Sequence, residues 1–324
     1  MSQTLYLAAD GGGSKLQTVL YDQDFRILRT GRVAGVNTLF KPAEVVKANI
    51  EAMLAELLTG IEGDIAFADI CMVGAGDVMK EALNRCGRVQ NVTFRGESVI
   101  GLAASLKTSG VVALSGTGSD AFFIKDGVSK LAVGGWGPLL GDEGSGYDIG
   151  LRTLKAAIYA YDGRGEPSML LDLVMENWKL TALWGIVGHL AGNPDARHEV
   201  ASAAKLCSKA AHAGDKVGLR IYEHAALDLS VTARTVIDAH RSEWDGTVVI
   251  MGGAWKGHPR MFEVFKREIE LLYPEAHVTR SLYDPVVGCA VLRFLDEGWS
   301  MEEIRQGLDM NFRQFLYDSE REQQ

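Results

Sequence analysis

A glycine-rich turn near the N-terminus holds the first residue types that could do chemistry. The apolar run Leu5–Ala9 leads into Asp10, three glycines at 11–13, Ser14 and Lys15. Glycines lack a Cβ, so their amides can close around an anion, and the hydroxyl and the ammonium add two more donors. The Asp10 carboxylate suits a hydrated magnesium ion, which prefers oxygen ligands. These residues predict a phosphate-binding turn; the alternative is a β-hairpin whose glycines serve only its turn.

The same plan returns about one hundred residues further along the chain. The apolar run Val111–Leu114 leads into Ser115–Ser119, and a second apolar run, Ala121–Lys125, follows. Both turns contain the sequence Gly-x-Gly-Ser. The repetition predicts an internally duplicated fold with two similar lobes, each presenting a phosphate-facing hairpin. The alternative is a coincidence between two unrelated hairpins.

A third glycine-rich segment, Gly134–Gly150, combines an aromatic ring with acidic side chains. It contains Trp136 and the pair Asp142 and Glu143. Such a surface suits a sugar, because an aromatic face can cover the ring and carboxylates can accept hydrogen bonds from the hydroxyls. Two alternatives stay open: Trp136 could serve lobe packing, and the acidic pair could cap the helix that begins at Ser145.

A fourth glycine-rich element, Gly252-Gly253, follows the buried-type strand Thr247–Met251. Two adjacent glycines would let the backbone pack closely against a flat ligand such as adenine.

The elements that must position these turns follow from the hydrophobic periodicity. In the first part of the chain, strand 65–73, helix 78–86 and strand 89–94 follow one another. Alternation of strands and helices predicts an α/β lobe over residues 1–112. Residues 113–299 read as a second α/β lobe with helical insertions, because the chain is mainly helical from Ser145 to about residue 240.

Length and composition limit the function classes. A chain of 324 residues exceeds the usual domain size of about 100–200 residues, so two lobes are expected. The net charge of -9 disfavours nucleic acid or an anionic membrane surface as the main partner. The four cysteines are scattered, the histidines have no metal-ligand spacing, and neither a signal segment nor an apolar run of about 18 residues is present. We expect a cytoplasmic protein that binds a small molecule.

The four glycine-rich segments together carry a family resemblance. They are Asp10–Lys15, Ser115–Ser119, Trp136–Gly146 and Met251–Gly253, in this order. Together they resemble the N-acetylglucosamine kinase group of the BadF/BadG/BcrA/BcrD ATPase-like family. That group belongs to the sugar kinase, actin and Hsp70 superfamily. The resemblance covers essentially the whole chain, and the sequence Gly-Asp-Glu-Gly-Ser-Gly at 141–146 is its most specific part. It implies two ribonuclease-H-like, actin-like ATPase lobes with a central interlobe cleft. A C-terminal helix, here 300–318, would complete the N-terminal lobe.

The resemblance also implies a function and its residues. The function is ATP-dependent phosphorylation of an amino sugar, N-acetylglucosamine or glucosamine, with ATP and Mg²⁺ as cofactors and homodimers common in the group. The implied cofactor-binding residues are Asp10, Gly12, Gly13, Ser14, Lys15, Thr117, Gly118, Gly252 and Gly253, with Asp10 holding magnesium through water. The implied sugar-binding residues are Asn37, Thr38, Trp136, Gly137 and Asp142.

One position departs from the family pattern. Kinases of this group usually have an Asn-Asp pair after the strand that here ends at Phe94, and that Asp is the general base. The matching residues in this chain are Gly96 and Glu97. Glu97 is therefore the candidate catalytic base, although its side chain is one methylene longer. The alternative is a helix N-terminal carboxylate that only complements the helix dipole.

Two other functions remain as alternatives. Some branches of the family are ATPases that activate a partner enzyme and hold an iron–sulfur cluster through paired cysteines, whereas the cysteines here are scattered. A catalytically weak sugar or nucleotide sensor is the second alternative, prompted by the change at Gly96 and Glu97.

Overall fold

The computed structural model describes residues 3–13, 15–38, 41–193 and 195–317. The strands, in chain order, are β1 Leu5–Gly11, β2 Lys15–Asp22, β3 Ile27–Ala34, β4 Ile65–Met72, β5 Val89–Phe94, β6 Gly110–Ser115, β7 Ser119–Lys125, β8 Val128–Gly134, β9 Thr247–Met251 and β10 His277–Arg280. The helices are α1 Ala43–Leu58, α2 Gly76–Cys86, α3 Glu97–Ala103, α4 Gly146–Asp162, α5 Leu170–Asn177, α6 Gly185–Leu190, α7 Ala196–Ser202, α8 Ala204–His212, α9 Lys216–Ala239, α10 Pro259–Leu272, α11 Pro285–Asp296 and α12 Met301–Asn311. Short 3₁₀ segments lie at Gly253–Lys256 and Arg313–Phe315.

The chain divides into two compact units. The first takes the described parts of Met1–Ser109, Ile124–Ser129 and Arg280–Gln324, and the second takes those of Gly110–Phe123 and Lys130–Thr279. Each unit contains one five-stranded sheet, so the expected α/β fold class is confirmed.

The sheet of the first unit has the order β3-β2-β1-β4-β5. β1 pairs antiparallel with β2 and parallel with β4, and β4 pairs parallel with β5. Successive side chains of a strand point to opposite faces. On β1, Leu5 and Leu7 accordingly pack with α1 and α2, whereas Tyr6 and Ala8 pack with α11 and α12. Both faces of this sheet are therefore covered by helices.

The sheet of the second unit repeats this plan. Its order is β10-β9-β6-β7-β8, and β6 pairs parallel with β9. β6 thus occupies the place that β1 has in the first sheet, as the duplicated turns predict. One large core joins this sheet to α4, α5 and α8–α10, and it includes the buried side chains of Phe123, Tyr222 and Trp255.

The C-terminal boundary differs from the predicted one at residue 299. Helix α11 belongs to the first unit, because it lies against β1 and α3. The contact is tight at Gly288, where a Cβ would lie 1.9 Å from the Ile100 carbonyl oxygen. The predicted helix at 300–318 is shorter, since α12 ends at Asn311, and its buried Ile304 and Leu308 join the same core as α11.

Within the described ranges, no helix combines the length and the apolar character needed to cross a membrane.

Candidate functional site

In the first unit, two of the predicted residues lie where parallel strands end. Asp10 is the penultimate residue of β1 and is in register with Cys71 of β4. Glu97 is the first residue of α3, three residues after β5 ends. Because β1, β4 and β5 run parallel, their carboxyl ends form one edge of the sheet, the usual ligand-binding edge of an open α/β sheet.

The turn after Asp10 is tied to the loops beside it. The Gly12 amide donates to the Lys15 carbonyl over 3.0 Å, which closes the turn. The carbonyl oxygens of Gly11 and Gly12 accept from the amides of Val73 and Val36, each over 2.9 Å. The loops after β3 and β4 are therefore both hydrogen-bonded to the glycine turn. Ser14, one of the predicted phosphate ligands, lies outside the described residues.

The predicted sugar-binding residues of this unit occupy one of those loops. Thr38 donates from its amide to the Gly74 carbonyl over 3.2 Å and from its hydroxyl to the same oxygen. Asn37 is buried, and its side chain lies directly against Gly74, where a Cβ would be 2.2 Å from the Asn37 Oδ1 atom. Gly74 has a φ of +81°, a conformation that glycine adopts without strain.

The Asp10 carboxyl has an unusual electrostatic environment. Burial raises its pKa to about 6, the nearby Asp284 carboxylate adds to this, and the Lys15 ammonium and the Cys71 thiol oppose it. Lys15 Nζ lies 3.9 Å from Asp284 Oδ1 and donates to Gln17 over 2.6 Å. Sequence reasoning missed Asp284, because it follows Asp10 by 274 positions and only the placement of α11 brings it near.

Glu97 is exposed and interacts electrostatically with Cys71, the same thiol that affects Asp10. Burial raises the pKa of the Cys71 thiol, and Asp10, Cys289 and Glu97 raise it further. Glu97 and Asp10 are therefore both near the Cys71 thiol, at the same edge of the sheet. Its position at the start of α3, after Gly96, also fits the alternative of a carboxylate that complements the helix dipole.

In the second unit, three glycine-rich segments meet. The Gly116 amide donates to the Gly118 carbonyl over 2.9 Å, which closes the turn between β6 and β7. The Gly146 and Tyr147 amides, at the start of α4, donate to the carbonyls of Gly116 and Thr117. The turn that contains Thr117 and Gly118 is thus hydrogen-bonded to the start of α4.

Gly252 closes the group from a third side. It has a φ of +106°, and a Cβ at this position would lie 2.3 Å from the Ser115 carbonyl oxygen. Gly253 begins a 3₁₀ turn in which the buried Trp255 donates to the Ala113 carbonyl over 3.3 Å. The predicted nucleoside-flanking pair therefore lies directly beside the turn between β6 and β7.

Asp142 is buried and lies against the turn between β6 and β7. Its Oδ1 atom is 3.5 Å from the Ser119 amide nitrogen, and its Oδ2 atom is 3.4 Å from Arg197 Nη2. A Cβ on Gly118 would lie 3.0 Å from Asp142 Oδ2. The cap of α4 is instead the Ser145 hydroxyl, which accepts from the Asp148 amide. Arg197 comes from the helical insertion, where no local pattern marks it.

Asp120, the residue after the Gly116–Ser119 sequence, was not predicted as a site residue. Its Oδ1 atom is buried and has no hydrogen-bond partner. Burial and the Asp142 carboxylate raise the pKa of Asp120 to about 7. Its place directly after Gly-Thr-Gly-Ser is a sequence signal that could have identified it.

Trp136 and Gly137 lie on an exposed loop of the same unit. Trp136 is 75% exposed, so it contributes little to packing within its unit. The Gly137 carbonyl accepts from the amides of Leu140 and Gly141, which closes the loop that leads to Asp142. No group of three or more His, Cys, Asp or Glu residues that could hold a metal ion was found in the described ranges.

Comparisons with known proteins agree with this architecture. An N-acetylmuramic acid/N-acetylglucosamine kinase from Clostridium acetobutylicum is 25% identical over 296 residues, which are 88% of this chain and 97% of that protein. An N-acetyl-D-glucosamine kinase from Dictyostelium discoideum is 27% identical, over 90% of this chain and 98% of that protein. A Porphyromonas gingivalis protein of known structure, provisionally named an N-acetylglucosamine kinase, matches 91% of this chain and 100% of its own with a TM-score of 0.72 and 15% identity.

The fold is thus one that is found among sugar kinases. The sequence model of the BadF/BadG/BcrA/BcrD ATPase family matches residues 9–292. The chain belongs to this family, which confirms the expected resemblance.

Proposed function

We propose that this protein transfers the γ-phosphoryl group of ATP to a hydroxyl of an amino sugar, N-acetylglucosamine or glucosamine. Membership of an ATPase family and the names of both relatives support this proposal. The observation that carries it is the grouping of Asp10 and Glu97 beside a glycine turn, at the carboxyl ends of parallel strands. Asp10 can hold the magnesium ion that binds the phosphates, and Glu97 can accept the proton of the sugar hydroxyl.

In this proposal the glycine turns bind the phosphates. Gly12, Gly13 and Lys15 do so in the first unit, and Thr117 and Gly118 do so in the second. Ser14 retains the role that the resemblance gives it. Phosphoryl transfer of this kind depends mainly on positioning and electrostatic stabilisation, which backbone amides and an ammonium supply.

The residues near Asp10 fit a magnesium ion. Asp10 and Asp284 place two carboxylates near each other, and magnesium is usually held by one or two carboxylates together with waters and substrate phosphates. Asp10 would hold the ion through water. When bound, magnesium neutralises charge on the phosphates.

Glu97 is the proposed base. Its carboxylate accepts the proton of the sugar hydroxyl as that oxygen attacks the γ-phosphorus in line. General base catalysis contributes about 10²–10⁴-fold to the rate.

Gly252 and Gly253 flank the nucleoside.

The proposed sugar-binding residues are Asn37, Thr38, Trp136, Gly137 and Asp142. Trp136 offers an exposed aromatic face, and Asp142 offers a buried carboxylate that lies 3.4 Å from Arg197 Nη2. We place the activity in the cytoplasm, where ATP is available and thiols such as the buried Cys207 stay reduced. A homodimer is part of the proposal on the basis of the resemblance alone.

An ADP-release assay with a panel of sugars tests the proposal. Glucosamine and N-acetylglucosamine should stimulate ADP release, whereas glucose is the control that lacks the amino group. Failure of every hexosamine to stimulate ADP release would refute the proposed function.

Three variants test the base. E97Q should lower kcat by about 10²–10⁴-fold without weakening ATP binding, and E97D should retain more activity than E97Q. Glu44 is also an exposed carboxylate in the first turn of a helix, so E44Q is the matched control for the helix-dipole alternative. Equal activities of E97Q and E44Q would remove the proposed role of Glu97.

A further inference from the structure

An ionic network lies beside the turn that carries Glu97. Arg95, the residue after β5, donates from Nε and Nη2 to Asp69 Oδ1 over 2.9 and 2.6 Å, and from Nη2 to Asp296 as well. Asp69 lies on β4 and is completely buried. Arg293 of α11 donates to both oxygens of Asp69, over 2.8 and 3.1 Å. One buried carboxylate therefore binds two guanidinium groups.

The network joins three elements at one point. The Arg95 amide donates to the Ile70 carbonyl over 2.8 Å, which fixes its backbone to β4. Arg293 also lies over the Phe67 ring, 3.9 Å from its centroid, and its Nη2 atom is 3.3 Å from Thr93 Oγ1. The end of β5 is thus held both to β4 and to α11.

Helix α11 holds α3 at two further places. Gly288 lets it approach the Ile100 carbonyl, and the Tyr283 amide, just before α11, donates to the Ala104 carbonyl over 3.1 Å. Only Gly96 separates Arg95 from Glu97. The helix that begins with Glu97 is therefore fixed at its C-terminal end by α11, and just before its N-terminus by Arg95.

Stability alone gives little reason for such a network. Burying ions has a desolvation cost that can exceed the gain from their attraction, and apolar replacements are often equally stable. A guanidinium that forms several hydrogen bonds does fix the relative positions of its partners, because its donors lie in one plane and the bonds form in few orientations. The exposed side of the network, Asp296, adds a second anchor for Arg95.

We propose that Arg95 is a positioning residue for Glu97, and that it holds the start of α3 so that the carboxylate reaches the sugar hydroxyl. This inference rests on the proposed function. A displacement of about 1 Å at a reacting group can cost about 10²-fold in rate. Loss of the two-point anchor therefore lowers kcat and leaves the KM for ATP unchanged.

The matched control is Arg88, at the opposite end of β5. Arg88 also holds this strand, because it donates to the carbonyls of Ile61 and Leu58 over 2.7 and 3.3 Å, and also to Gly63. R95K and R88K both remove a multidentate guanidinium at an end of the same strand. Only R95K should lower kcat, by about 10²-fold, when the two variants have similar Tm values. D296N, at an exposed position, should lower kcat by a smaller factor.

A double-mutant cycle tests the inference. Single-turnover rates are measured for wild type, R95K, E97Q and R95K/E97Q. If Arg95 acts through Glu97, R95K has no further effect in the E97Q background. The inference is overturned if the rate losses of R95K and E97Q multiply in the double variant. It is also overturned if R88K and R95K lose equal activity, or if E97Q keeps the wild-type rate. A wild type that phosphorylates no hexosamine refutes the proposed function and this inference together, whereas an active wild type with multiplying effects refutes the inference alone.

Discussion

Replacing Asp120 by Asn should stabilise the protein, and by more at high pH than at low pH. Asn is nearly isosteric with Asp and cannot carry a negative charge. In the wild type, Asp120 Oδ1 is buried without a partner, and the neighbouring Asp142 carboxylate disfavours ionisation. An uncompensated charge is therefore forced on this position whenever the pH exceeds the pKa of Asp120.

The magnitude follows from the pKa in the two states. Folding raises the pKa of Asp120 from 3.8 to about 7. The folded protein thus binds more protons than the unfolded chain between these pH values, so the free energy of unfolding falls as the pH rises through this window and is level above it. Each pH unit of this window changes the free energy of unfolding by about 1.4 kcal/mol. Between pH 5.5 and 8.5 the advantage of D120N should grow by about 2 kcal/mol at most, since the side chain is partly exposed.

Thermal unfolding at a series of pH values, without ligand, measures this effect. In a domain of 150–250 residues, 1 kcal/mol shifts the Tm by about 2–4 °C, so the difference between D120N and wild type should widen by at most about 4–8 °C from pH 5.5 to 8.5. D64N is the control, because it removes an exposed carboxylate by the same substitution. A constant Tm difference between D120N and wild type over this range would refute the reasoning.

Three further predictions concern the glycine turns, the sugar site and the thiols. G252A should lower the Tm and weaken ATP binding at least tenfold, since its Cβ would lie 2.3 Å from the Ser115 carbonyl oxygen and one strained residue costs about 1–3 kcal/mol; a normal Tm with normal ATP affinity by calorimetry would contradict this. W136A should leave the Tm unchanged, because the side chain is 75% exposed, and should raise the KM for the sugar by about tenfold; an unchanged KM excludes the sugar contact. In the folded protein a thiol reagent should modify Cys86 first, because burial raises the pKa of the Cys71 thiol; mass mapping that finds Cys71 modified as fast as Cys86 would be the contrary result.

Local sequence patterns were sufficient for the parts of the fold that depend on local physics. The strand–turn–strand units around Asp10 and Gly116 follow from apolar runs broken by glycines, and the equal strand order of the two sheets agrees with the duplication inferred from them. Strands β3 and β8 were missed, because their side chains are largely exposed or half-buried and lack a clear apolar pattern.

The rest depends on contacts between distant segments. Asp142 was predicted, whereas its partner Arg197 lies 55 residues away on a helix with no marking pattern. The placement of α11 depends on the absence of a side chain at Gly288, which no periodicity reveals. Glu97 was identified only through the family resemblance, and the network around Arg95 that fixes its helix became evident from the structure alone.

The central claim, transfer from ATP to an amino sugar, is tested most directly by following the phosphorus. The protein is incubated with ATP, magnesium and glucosamine or N-acetylglucosamine, and the products are examined by phosphorus NMR. We expect a sugar phosphate that appears in step with ADP, and its loss in E97Q. Inorganic phosphate as the only new product, or no turnover of ATP with either sugar, would contradict the account.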